Sequence, residues 1–108
     1  MWNKPTDKDL NSIPPLYTAE EVLGKEKIIY MHFFIGGCDW YGAEFSPEEG
    51  TFFGFVILNN DFEMAEWGYF SLSELEEINV RGIEIDRDIS WTPRKAADVG
   101  RIKEANSW

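Results

Sequence analysis

The chain has 108 residues, of which 44% are apolar, and a formal charge of -10. That length fits one domain, 1–108, with a real core. Such acidity argues against direct binding to nucleic-acid phosphates or anionic membranes, both of which call for Lys and Arg. The single cysteine, Cys38, rules out an internal disulfide and reads as a small buried hydrophobe. With no basic leader and no long apolar run, the expected location is cytoplasmic.

In chain order, Thr6 caps a short helix that ends before Pro14, with Leu10 and Ile13 turned inward. Thr18-Ala-Glu-Glu21 has the spacing of a capping box and predicts a second short helix stopping at Gly24. Four strands follow: Ile28–Ile35, Cys38–Phe45, Thr51–Leu58 and Phe62–Phe70. Gly36-Gly37, Ser46–Gly50 and Asn59-Asn60-Asp61 are the turns between them. Connections this short make an antiparallel meander.

Ser71-Leu-Ser-Glu74 predicts a helix to about Ile78, and Asn79–Ile85 a short fifth strand broken at Gly82. Thr92-Pro93 predicts the start of a C-terminal helix, Arg94 to about Ala105, whose thin apolar stripe implies weak packing. The class is α+β: an antiparallel meander sheet of four to five strands with short flanking helices.

Charge is unevenly placed along this scaffold. Residues 28–80 hold ten carboxylates, 13 of the 17 aromatics, and no Lys or Arg. The flanks balance their acids with bases. A cation-free folded block is expected to present its acids to water, a metal or a cationic partner. Strict alternation puts Cys38, Trp40, Gly42 and Glu44 on one face of the second strand and Asp39, Tyr41, Ala43 and Phe45 on the other. The third strand is apolar on both faces and so calls for cover on both. Gly42, Gly54 and Gly68 mark either bulges or a groove.

Two constellations stand out. Glu44 and Glu66, with Trp40 and His32, would form an acid–base or divalent-metal site if the strands brought them together; solvated sheet-face carboxylates are the plainer reading. Glu84-Ile-Asp-Arg-Asp88 reads as a local ion-pair network around Arg87. No calcium loop, phosphate loop, dinucleotide fingerprint or nucleophile elbow is present.

The ordered motifs His32-Phe-Phe-Ile-Gly-Gly-Cys-Asp-Trp-Tyr-Gly-Ala-Glu44, Phe52-Phe-Gly-Phe55, Glu66-Trp-Gly-Tyr-Phe-Ser-Leu-Ser-Glu-Leu75, Glu84–Asp88 and Trp91-Thr-Pro93 resemble a bacterial domain-of-unknown-function family. Its members are acidic proteins of about a hundred residues, often encoded on plasmids, conjugative elements and prophages. The resemblance implies a setting, action on host defence or element maintenance, and no catalytic roles.

The function expected is a non-enzymatic acidic binding protein that docks on a basic partner. Its sharpest form is a mobile-element inhibitor covering the nucleic-acid-binding surface of a host defence nuclease, of anti-CRISPR or anti-restriction type. The expected contacts are Trp40, Tyr41, Glu44, Glu48, Glu49, Asp61, Glu66, Trp67 and Tyr69, with neither cofactor nor metal. Unguarded strand edges also allow a homodimer. The alternative is a small metal-binding or hydrolytic enzyme using Glu44, Glu66 and His32.

Overall fold

A strand with apolar side chains on both faces needs a layer packed against each. The computed structural model, which describes residues 1–108, meets that need with one central sheet. After a short helix α1 (Asp7–Asn11) and a two-residue strand β1 (Ile28–Ile29) come β2 (Met31–Ile35), β3 (Cys38–Ser46), β4 (Thr51–Ile57) and β5 (Glu66–Ser71). Helix α2 (Leu72–Glu77) follows, then the short strands β6 (Asn79–Val80), β7 (Ile83–Glu84), β8 (Asp86–Arg87) and β9 (Arg94–Lys95), and finally α3 (Gly100–Asn106). The main sheet is antiparallel with order β5-β4-β3-β2-β8. The α+β class and the meander are therefore as the sequence implies.

Local signals explain most of the frame. Thr6 and Asp9 form a reciprocal capping box on α1, and the Ser71 hydroxyl accepts the Glu74 amide at 3.0 Å on α2. Gly36 and Gly50 sit at φ +52° and +64° in the first two hairpin turns.

The two cores lie on opposite faces of the sheet. On the first, Phe33, Trp40, Phe45, Phe52 and Phe70 pack with Leu10, Ile13, Leu75 and Ile85. On the second, Tyr41, Ala43, Phe55 and Ile57 pack with Ile29, Ala96, Val99 and Ile102. At about 25 cal/mol per Å² of apolar area, this two-sided burial supplies most of the drive to fold.

Three local expectations are corrected. The run from Thr18 is a series of turns ending in a single 3-10 turn, Gly24–Glu26, and not an α-helix. Tyr17 takes a left-handed φ of +70°, the Thr18 hydroxyl donates to the Pro15 carbonyl, and Glu44 takes the amide of Ala19. The capping spacing is thus overridden by a tertiary bond.

The C-terminal segment begins as β9, paired with β1, because the Ala96 amide bonds the Lys27 carbonyl at 2.8 Å. A 3-10 turn, Ala96–Asp98, follows; the α-helix starts only at Gly100, and Ile102, fully buried, anchors it firmly in the second core. The segment 79–85 forms its own two-stranded ladder, β6 with β7. The fifth strand of the main sheet is β8 instead.

Candidate functional site

The bulge in β3 decides which face each candidate residue occupies. Gly42 pairs with Gly54 but Glu44 pairs with Phe53, so Ala43 is an extra residue on β3. A Cβ on Gly54 would lie 1.8 Å from the Tyr41 carbonyl oxygen, so only glycine permits this approach. Beyond the bulge the alternation reverses. Phe45 joins Trp40 in the first core, and Glu44 moves to the second face beside Phe53.

Glu66 pairs with Val56 and shares the first face. Glu44 and Glu66 therefore lie on opposite faces, with Trp40 on the first and His32 on the second. The structure does not assemble the acid–base or metal group that strict alternation suggested, and no cluster of three His, Cys, Asp or Glu side chains is placed to hold a metal.

Both acids buried within the cation-free block draw partners from the flanks. Asp39 is only 6% exposed. Its oxygens meet His32 Nε2 at 2.8 Å and Arg101 Nε, from α3, at 2.8 Å. Arg101 also donates to Asn60 Oδ1 at 2.8 Å, tying α3 to the β4–β5 loop. Tyr41 stacks on the His32 ring, 4.4 Å between centroids. Burial, and then the charge of Asp39, hold the Tyr41 hydroxyl proton well above the ordinary tyrosine range.

Glu44, also buried, accepts the amides of Tyr17 at 3.2 Å and Ala19 at 2.8 Å. The expectation that every acid of the block faces outward is thus wrong for these two. Sequence reasoning missed Arg101 and the Tyr17–Ala19 amides, which lie far away along the chain. Arg87 likewise reaches past its neighbouring aspartates to Asp9, at 3.5 Å, and to the Asn3 carbonyl.

Of the nine expected contact residues, Trp40, Tyr41 and Glu44 are buried, Glu44 with an edge on a cleft beside Phe53. Glu48 and Glu49 are exposed on the β3–β4 turn, away from the others. Asp61, Glu66 and Tyr69 come together in an open groove of about 390 Å³ along β5. Val56, Leu58, Met64 and Gly68 complete its apolar part. No atom lies within 4 Å of a Cβ added to Gly68, so this glycine leaves the groove floor open. Leu58, Met64 and Tyr69 are 50%, 75% and 56% exposed, which is high for side chains of this size.

No Lys or Arg lines the groove. Strand β5 has a ladder partner on one side only and carries neither Lys nor Pro to guard its outer edge. Trp67 and Tyr69 border a second cleft on the opposite side of the strand.

Comparison with known families adds one result: the family model described as "Protein of unknown function (DUF2958)" matches residues 18–101. The chain belongs to that family. The match spans all five strands of the central sheet together with β9, and reaches Arg101, the partner of Asp39. No curated protein and no solved structure matches the chain. No helix is long and apolar enough to cross a membrane.

Proposed function

We propose that this DUF2958 protein is a non-enzymatic binding protein that captures a basic, partly apolar segment of another protein along β5. The observation that carries this reading is the groove itself. Exposed apolar side chains and carboxylates lie together beside an unpaired strand edge, with no cation among them. An extended segment can add to such an edge through main-chain hydrogen bonds while its alternate side chains enter the groove. Basic side chains would meet Asp61 and Glu66, and apolar ones Leu58 and Met64.

A second copy of this chain fits less well, because two chains of formal charge -10 would set the same acidic grooves side by side. The sharper form of the proposal is an inhibitor, encoded on a mobile element, that covers the nucleic-acid-binding surface of a host defence nuclease of anti-CRISPR or anti-restriction type. Its support is the segregated negative charge, which favours fast encounter with such surfaces.

An enzymatic role for Glu44, Glu66 and His32 loses its geometric basis, since these three are dispersed over two faces. The test is affinity capture from host lysate with the wild-type protein and with Asp61→Lys/Glu66→Lys. The expected result is a basic protein retained by wild type, released by salt and absent with the variant. Equal retention by both proteins would overturn the assignment to this groove.

A further inference from the structure

The cleft on the far side of β5 has a different chemistry. It is about 490 Å³ in volume and lies between the Tyr17–Gly24 segment and β5. Its walls are aromatic: the Phe53 and Trp67 rings are stacked 5.9 Å apart, and Tyr69 meets Phe53 edge-on at 5.1 Å. Tyr17 closes the outer side, with Glu20 on the rim.

Glu44 lies at the inner end. It is 4% exposed and is held by two backbone amides, with no ion pair. A buried carboxylate is ordinarily compensated by a cation as well as by hydrogen bonds. The one cation lining the cleft, Lys27, donates to the Ala19 carbonyl and lies 5.7 Å from the centroid of the Phe53 ring. The chain's own ammonium is thus already drawn to this aromatic wall. Desolvation, the neighbouring Tyr17 hydroxyl and the charges of Glu44 and Glu20 hold the Tyr69 proton above the ordinary tyrosine range, in keeping with a negative potential here.

We infer that this cleft is a recognition pocket for a single organic cation, the guanidinium of an arginine side chain carried by the basic partner. The source of the cation rests on the binding reading above, whereas the pocket's chemistry rests on its own residues. A guanidinium fits better than an ammonium. Its flat, weakly hydrated face stacks on Trp67 or Tyr69 while its N–H groups point toward Glu20 and the free lone pairs of Glu44. Together Glu20, Glu44 and Lys27 leave the lining one negative charge in excess, which a single guanidinium balances.

The test is a titration with agmatine, which carries a guanidinium and an ammonium at the two ends of a butyl chain, followed by the NMR signal of the Trp67 indole N–H. The controls are 4-aminobutylurea, in which a neutral urea replaces the guanidinium and the ammonium is kept, and sodium chloride at matched ionic strength. Agmatine is expected to shift the Trp67 signal saturably while both controls leave it in place. Glu20→Lys and Tyr17→Asn alter exposed residues, and Asn tolerates the positive φ at position 17. Each is expected to weaken agmatine about fivefold or more. Asp61→Lys/Glu66→Lys should leave agmatine binding unchanged while abolishing capture of a basic segment, so failure of the pocket and failure of the groove are separable. Equal shifts from 4-aminobutylurea, or no weakening in Glu20→Lys and Tyr17→Asn, would overturn the inference.

Discussion

Replacing Arg101 with Met keeps the length of the side chain and removes the cation that reaches Asp39 from α3. The carboxylate would remain 6% exposed with His32 as its one side-chain partner. Breaking a fully buried ion pair costs about 3–5 kcal/mol. Arg101 is itself 37% exposed, so water can reach the site, and the expected loss is about 2 kcal/mol. For a domain of this size that lowers Tm by about 10 °C.

Urea unfolding of Arg101→Met, Asp39→Asn and the double variant separates the pair from packing. Asn in place of Asp39 removes the stranded charge, so the double variant should recover about 1 kcal/mol or more relative to the sum of the singles. A coupling energy near zero, or an Arg101→Met protein within about 0.5 kcal/mol of wild type, would refute the claim that a flank residue neutralises the buried acid of the central block.

Other consequences follow from the same geometry. Gly54→Ala would drive a methyl group into the Tyr41 carbonyl and should prevent folding or cost more than about 3 kcal/mol. Gly68→Ala, with open space around it, should stay within about 1 kcal/mol of wild type by denaturant titration. Glu44→Gln should cost about 1–2 kcal/mol and speed amide hydrogen exchange at Tyr17 and Ala19, the two amides it now accepts.

At the acid end, hydrogen bonds from Thr6 hold the Asp9 carboxyl below 3.8. Its stabilising effect is therefore present above that pH and is lost as pH falls through the lower folded-state value. At the alkaline end Tyr41 is raised above 10.0. Its effect is complete below that pH and is lost as pH rises through the folded-state value, so Tyr41→Phe should flatten the alkaline limb of a stability–pH curve.

The central strands were legible because apolar runs and glycine turns are local signals, although the run Ile28–Ile35 divides into β1 and β2 in separate sheets and the fourth strand begins at Glu66 and not at Phe62; the demand for cover on both faces of β4 follows from Phe52, Phe53, Phe55 and Val56 alone. The bulge was not legible, since alternation presumes an unbroken pleat, and one extra residue at Ala43 moved Glu44 to the other face. Thr18 and Thr92 carried genuine capping spacings. They lost to longer-range bonds: Glu44 takes the Ala19 amide, and the Lys27 carbonyl takes the Ala96 amide. Gly42, Gly54 and Gly68 did mark special backbone, the first two at the bulge and the third in the groove.

For the candidate site, Asp61, Glu66 and Tyr69 were identifiable as exposed acid and aromatic. Trp40 and Tyr41 read as surface anchors only because composition cannot say which aromatic a second layer will cover. The charge map carried the same ambiguity. A segment without cations can still neutralise its buried acids through a helix such as α3 that lies elsewhere in the chain.

Capture at the β5 edge is tested most directly by NMR titration of the labelled protein with an extended peptide of repeating Lys-Ser-Leu-Ser, which presents Lys and Leu in turn on one face. It should be run at about 0.1 M and about 1 M salt, where the screening length falls from roughly 10 Å to 3 Å. Saturable shifts are expected along Leu58–Phe70, strongly weakened at high salt and lost in Asp61→Lys/Glu66→Lys. Shifts scattered over the surface, or binding indifferent to both salt and the double substitution, would contradict capture at this edge.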